Sequence, residues 1–452
     1  CHSINEKKVK REKPLMNNLT SHSHRVITKQ YLIPFILVGF LFPLWGFAND
    51  ITNPMVAAFK NILLISNFES ALVQFAFYGG YCLMAIPAAI FIKRFNYKQA
   101  IIMGLALYSI GCFLFIPAGK MMAFEAFLLS YFIMTCGLSF LETSANPYIL
   151  SLGDEATATQ RLNLAQAFNP LGSLVGMFVA REFILARLNP AAESTRRELS
   201  LNDPGAFTLI QQSDLDVIIG PYLMLGMVVF FVLIIFFISK LPGSKSGKGE
   251  KLDLRPTLNR LFSNKRYLEG VIAQAFYVGA QIMCWTFIIH YGVNELGMTK
   301  AEAQSYNMIA MVIFVSSRFI CTYLLKFINS GQLLMTLALG GGTFILGTIF
   351  LTGMVGLYSL VAVSACMSLM FPTIYGIALK GLGEDAKLGS AGLILAIGGG
   401  SLMPPLQGLI MDMSSFSIGG FLLSSTRASF GLPLVCFIVI GIYGWNTMRK
   451  HA

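Results

Sequence analysis

Charge is what this sequence lacks. Asp, Glu, Lys and Arg together make up 12% of its 452 residues, about half the share found in a soluble globular domain. So few charges cannot cover a water-facing surface for a chain this long, which excludes a soluble enzyme. An apolar fraction of 55% excludes a disordered chain. Cysteine pairing is missing too. Cys82, Cys112, Cys136, Cys284, Cys321, Cys366 and Cys436 lie in apolar stretches with no CxxC and no His at ligand spacing. They read as small apolar residues, and neither a disulfide framework nor a metal site is expected. The glycine runs Gly340-Gly341-Gly342 and Gly398-Gly399-Gly400 sit within apolar segments and lack the Gly-Lys-Ser/Thr ending of a phosphate cradle, which argues against an ATP-driven machine. The five His stand at positions 2, 22, 24, 290 and 451, so no Ser-His-Asp grouping is visible. No cofactor is expected. No cleavable signal peptide is recognisable: residues 1–30 are polar and basic, and since the chain opens on Cys1, Met16 is a candidate start.

What is present is a recurrence of long apolar runs. About 20 apolar residues cross the hydrocarbon core, and segments of that kind fall at 32–58, 70–92, 99–117, 123–151, 162–186, 217–239, 267–290, 303–326, 331–352, 355–379, 387–412 and 428–447. Twelve spans predict an all-α membrane protein. The long polar break Leu241–Tyr267, with Lys245, Lys248, Lys251, Arg255, Arg260, Lys265 and Arg266, divides six spans from six. That predicts two pseudo-symmetric six-helix bundles, 31–240 and 267–447, with a cytoplasmic linker over 241–266 and cytoplasmic tails at 1–30 and 448–452. Leu152-Gly153-Asp154-Glu155 after the fourth span is echoed by Leu382-Gly383-Glu384-Asp385 after the tenth, as parallel repeats would give.

Orientation follows from cation counting. With the termini and the linker inside, 24 Lys and Arg fall on the cytoplasmic face and eight outside, while Arg318 stays within the eighth span. A three-to-one excess satisfies the positive-inside rule. The sequence pI near 9.2 therefore reports topology in a bilayer and not a nucleic-acid partner. The expectation is a multi-pass monomer of the plasma membrane, the inner membrane of a bacterium.

Charges at membrane depth cost roughly 2.5–3.5 kcal/mol each on insertion scales, so they are functional candidates. Asp50 lies well inside the first span. Glu142 lies in the fourth, within Phe140-Leu141-Glu142-Thr143-Ser144-Ala145-Asn146-Pro147. A carboxylate there can bind and release a proton as a cavity switches sides, or it can be held by neighbouring helices to fix their packing. Around them stand the amides Asn49, Asn53, Gln74, Asn146, Asn163, Gln166, Asn169, Gln274 and Gln281. An amide both donates and accepts, as does each hydroxyl of a polyhydroxylated ligand. Asn49 and Asn53 share a stripe at i, i+4, Asp50 and Asn53 are neighbours at i, i+3, and so are Gln166 and Asn169. The plainer reading is interhelical glue at about 0.6 kcal/mol per bond. Trp45 and Trp285 lie well inside the first spans of the two halves, where a ring face can pack on the apolar face of a sugar or simply fill helix packing. Phe77-Tyr78 and Phe276-Tyr277 are weaker aromatic candidates.

Several stretches together resemble the L-fucose–proton symporter family of the major facilitator superfamily, over nearly the whole chain after residue 30. They are Leu44-Trp45-Gly46-Phe47-Ala48-Asn49, Ala76-Phe77-Tyr78-Gly79-Gly80-Tyr81, Leu141-Glu142-Thr143-Ser144-Ala145-Asn146-Pro147, Arg161-Leu162-Asn163-Leu164-Ala165-Gln166-Ala167-Phe168-Asn169, Tyr277-Val278-Gly279-Ala280-Gln281 with Cys284-Trp285, and Phe371-Pro372-Thr373-Ile374-Tyr375. The resemblance implies a non-enzymatic carrier that moves a monosaccharide with a proton by alternating access, with L-fucose the first candidate and galactose or glucose next. It implies that Glu142 and an acid in the first span serve proton coupling and sugar recognition. It also implies that Gln166, Asn169 and Gln281 line the cavity, with Tyr277 and Tyr375 in the matching aromatic stretches. One position departs. Ungapped from Trp45, the family's first-span Asp falls on Asn53, and Asp50 stands one turn earlier. Either Asp50 takes over the role, or Glu142 alone carries the proton, or coupling is to sodium. A drug–proton antiporter would want a more apolar cavity than these amides provide.

Overall fold

The computed structural model describes residues 27, 29–153, 161, 164–166, 168–242, 254–324, 327–382, 385–414, 416–418 and 421–449. Asn163, most of both tails, the middle of the linker, and Asp154-Glu155 and Gly383-Glu384 of the two echoed tetrapeptides lie outside the described residues. The first bundle contains α1 (Lys29–Leu63), α2 (Asn67–Arg94), α3 (Tyr97–Met121), α4 (Phe124–Ser151), α5 (Leu164–Arg187), α6 (Glu193–Asn202) and α7 (Pro204–Ile238). The second contains α8 (Leu254–Ser263), α9 (Lys265–Leu296), α10 (Lys300–Leu324), α11 (Ser330–Phe350), α12 (Gly353–Leu379), α13 (Ala386–Leu395, continuing through a 3-10 turn as Gly399–Met411) and α14 (Ser425–Arg449). A small antiparallel hairpin, β1 (Phe416–Ile418) on β2 (Phe421–Leu423), joins α13 to α14.

Each of the twelve expected spans is helical over most of its described residues. Among the described residues, eleven helices are both long and apolar enough to cross a bilayer. The twelfth, α10, has 25 residues, or about 37 Å at 1.5 Å per residue. It has the length, but its polar residues Glu302, Gln304, Asn307 and Arg318 dilute its hydropathy. The weakest sequence break, between spans nine and ten, is real: α11 ends at Phe350 and α12 restarts at Gly353, whose φ of 68° suits a residue without a Cβ. In the other direction, α7 runs 35 residues, about 52 Å, and so begins well before the core. The short α6 is stapled to that projecting start by Arg196, whose Nη2 lies 2.6 Å from Asp214, both nearly fully buried.

Backbone breaks at prolines organise the middle of the bundles. Pro54 cannot donate to the Asp50 carbonyl and splits α1 just after Thr52. Pro372 likewise leaves the Ser368 carbonyl without its helical donor, and α12 is interrupted there. Arg318 answers that break: its Nε donates to the Ser368 carbonyl at 3.1 Å, and its guanidinium lies 5.0 Å from the Phe314 ring centre. The intramembrane cation thus repairs a helix. Small residues set the closest packing. A Cβ on Gly172 would overlap the Pro43 carbonyl, and one on Gly408 would overlap that of Asn67, so α5 meets α1 and α13 meets α2 backbone to backbone.

Candidate functional site

The first-span acid is shut away. Asp50 is 4% exposed, and its Oδ1 accepts from Asn53 Nδ2 at 3.0 Å, the contact expected from the i, i+3 spacing. Asn53 Oδ1 in turn accepts from Gln74 Nε2 on α2 at 3.1 Å, and the same amide nitrogen donates to Thr286 Oγ1 on α9 at 3.0 Å. Asp50, Asn53, Gln74 and Thr286 therefore form one buried chain that crosses from the first bundle to the second. Thr286 was not singled out from sequence. It adjoins Trp285, but nothing in its own neighbours says which face of α9 meets the other bundle. Two acceptors beside this chain, Gln74 Oε1 and Asn49 Oδ1, are buried without a partner among the described residues. Such an atom is costly to leave unpaired, by about 1–3 kcal/mol.

Glu142 differs. It is half-buried, and its carboxylate makes no hydrogen bond or ion pair among the described residues. Tyr78 is within electrostatic reach of both carboxylates. One turn on, Asn146 uses its Nδ2 on the Glu142 backbone carbonyl at 3.0 Å, and its Oδ1 accepts from Gln166 Nε2 at 3.3 Å, which ties α4 to α5. Gln166 itself is exposed. Asn169 is half-buried and spends Nδ2 on the Phe42 carbonyl at 3.2 Å. Gln281 is half-buried and makes no side-chain hydrogen bond among the described residues.

The aromatic candidates divide by bundle. Trp45 is buried against Phe42, ring centres 4.3 Å apart. In the second bundle, Trp285 donates to Ser364 Oγ at 3.1 Å and Tyr277 to the Met367 carbonyl at 3.0 Å, so both polar tips are engaged on α12. Tyr375 stacks on Phe371 at 6.2 Å and stays half-buried.

Among the described residues, the hydrogen bonds that join the two bundles gather in the half remote from the termini. Asp412, just past α13, caps the start of α2: Oδ1 accepts from Asn67 N at 2.9 Å and Nδ2 at 2.6 Å, and Oδ2 accepts from Phe68 N at 2.7 Å. A carboxylate on a helix N-terminus is a favourable pairing, and here it comes from the opposite bundle. Ser401 Oγ donates to the Phe75 carbonyl at 2.9 Å, and Arg181 Nε donates to Ser305 Oγ at 2.8 Å. With Gln74 and Thr286 these form a seal several layers thick. Depth separates the acids accordingly. Asp50 is about 20 Å from the remote end of α1 and Glu142 about 27 Å from that of α4.

Two six-span bundles around buried acids and amides, sealed together at one end, define a membrane transporter of the major facilitator type. Residues 36–394 match the family model described as Major Facilitator Superfamily. The chain is 52% identical over 431 residues to the L-fucose-proton symporter of Haemophilus influenzae, covering 94% of this chain and 99% of that protein. It is 33% identical over 436 residues to the L-fucose-proton symporter of Escherichia coli, covering 94% and 97%. It superposes on a crystal structure of the major facilitator transporter FucP in the outward conformation with a TM-score of 0.70 at 34% identity, over 93% of this chain and 99% of that one. The chain belongs to the L-fucose–proton symporter family, a family of carriers and not of enzymes.

Proposed function

We propose that the protein is a proton-coupled symporter that brings L-fucose across the plasma membrane by alternating access, as a monomer with both termini and the 241–266 linker in the cytoplasm. The bundles 31–240 and 267–447 are its two moving bodies. Membership in a family whose relatives carry that name supports the substrate and the coupling ion, and the distribution of cations supports the orientation. With that orientation the sealed end faces outward.

The observation that carries the mechanism is the unpartnered Glu142 carboxylate at membrane depth, beyond the seal and towards the cytoplasm. Moving a bare charge through a closed cavity is costly, whereas the neutral acid is not so penalised. Reorientation with proton and sugar bound is thus favoured over reorientation of the charged, empty carrier. When the bundles open outward the Gln74–Thr286 bond must part. That releases an amide donor, beside the free acceptors of Gln74 and Asn49, for sugar hydroxyls. Asn53 at the family's acidic position does not remove the carboxylate: its amide holds the Asp50 carboxylate from the adjacent turn, and we assign the pair the sugar-recognition role of that position. We assign Asn146, Gln166, Asn169, Gln281, Trp45, Trp285, Tyr277 and Tyr375 to the surroundings of the path; Trp45, Trp285 and Tyr277 are buried in this state.

Uptake into proteoliposomes tests the reading. L-fucose, galactose and glucose are each offered under an imposed proton gradient and then a sodium gradient. L-fucose accumulation driven by protons alone is expected. Sodium-driven uptake, or a preference for glucose, contradicts it.

A further inference from the structure

At the end that carries the termini, a cavity of about 250 Å³ opens between α9, α11, α12 and α14. It is separate from the transport path. At 100° per residue, Phe371 and Tyr375 share one face of α12, whereas the lining residues Leu369, Pro372, Thr373, Gly376, Ile377 and Lys380 centre on a direction about 150° away. Its chemistry is that of an anion site. Arg266 and Lys380 line it. The Nε and Nη2 of Arg266 are shielded from solvent and have no hydrogen-bond partner among the described residues, an expensive condition for a guanidinium, which carries five donors. Lys380 is exposed at the rim. The first residues of α11, Ser330 and Gly331, form part of the wall. Asn329 caps that helix by accepting from Gly331 N at 2.8 Å, so its positive end also borders the space. Thr373 and Thr447 are also among the lining residues, their hydroxyls donating to the Leu369 and Tyr443 carbonyls, and Leu369 and Ile377 supply an apolar floor.

We propose that this cavity binds a phosphate-bearing anion, and that its resident is the headgroup of an anionic phospholipid of the adjoining leaflet. A phosphate oxygen answers the unpartnered guanidinium with a charge-assisted hydrogen bond. Basic pockets between helix ends at the cytoplasmic surface suit lipid headgroups, and the apolar floor accepts the start of an acyl chain where a free anion has no use for it.

The test uses the purified full chain in detergent, probed by native mass spectrometry with phosphatidylglycerol, phosphatidylcholine and, separately, inorganic phosphate. The wild type is expected to retain phosphatidylglycerol over phosphatidylcholine. Arg266→Gln and Lys380→Gln should each weaken that retention roughly fivefold, and Arg266→Lys should restore part of it. Lys380 lies at the rim, so its variant reports even if Arg266→Gln fails to fold. Phosphate displacing the lipid in the wild type but not in Lys380→Gln supports the shared chemistry. Phosphate binding with no preference among lipids keeps the anion site and overturns the lipid as its occupant. Equal phosphatidylglycerol retention by wild type and Lys380→Gln, together with no phosphate binding, overturns the proposal.

Discussion

Asp50 and Glu142 belong to the same bundle and differ in depth by about 7 Å, yet their surroundings are opposite. Asp50 is enclosed, held by Asn53, and tied through Gln74 to Thr286 of the other bundle. Glu142 keeps partial exposure and no partner among the described residues. An acid wired across the interface can sense whether the bundles are together. An acid that is open and unpaired can exchange protons freely in the state where it faces water. On this account the division of labour expected of the two carboxylates is set by their neighbours and not by their chemistry, which is the same. Among the described residues, hydrogen bonds between the bundles likewise gather at the remote end, where Asp412 caps α2 in trans.

The largest effect should come from Glu142→Gln. It removes the titrating group and keeps the shape, so L-fucose accumulation under a pH gradient should fall at least tenfold while sugar exchange across the membrane survives, as read by counterflow. Loss of exchange as well would make Glu142 a binding group and erase the contrast with Asp50. Next, Asn53→Leu takes away both the donor to Asp50 and the acceptor for Gln74. A loss of roughly 1–3 kcal/mol should appear as a several-fold or greater drop in initial uptake rate. Uptake within twofold of wild type would mean that the cross-bundle chain is mere packing.

Asp412→Ala strips the α2 cap at a cost of about 1–2 kcal/mol. It should shift the population towards outward opening, seen as faster labelling by an impermeant thiol reagent of an Asn49→Cys reporter in a cysteine-free background; unchanged labelling would remove Asp412 from the seal. The smallest effect lies outside the membrane. Burial raises the Glu193 carboxyl, but hydrogen bonds and charge from Arg197 and Lys60 outweigh it and hold it below the usual range. A lowered folded value means stability that is present above the unfolded value and lost as pH falls through the folded one. These partly exposed pairs are worth about 0–1 kcal/mol. Glu193→Gln should lower the melting temperature slightly at neutral pH and not at all in acid, and an equal loss at both would refute the ionic origin.

Much of this was legible in the residues. Span count, the 6+6 division and the Asp50–Asn53 neighbourhood follow from hydropathy and helical periodicity, which are local properties. The pairing of Gln74 with Thr286 is not local: 212 residues separate them, and spacing along a chain carries no information about which faces of two helices meet. Asp412 reads as an ordinary loop acid until α2 is placed beside it. Trp285 and Tyr277 share the ambiguity of every buried aromatic, since a ring that faces a ligand and one that fills a groove have the same sequence context; their hydrogen bonds to α12 became visible only in three dimensions. Arg318 looked like a charge in search of a function until the carbonyl freed by Pro372 was seen to accept from it.

The central claim is that sugar and proton move together through Glu142. The direct measurement is the external pH of lightly buffered, de-energised proteoliposomes when L-fucose is added. The account predicts alkalinisation of the medium with the wild type, as protons enter with the sugar, and none with Glu142→Gln. No alkalinisation with the wild type, or an equal one with the variant, would contradict it.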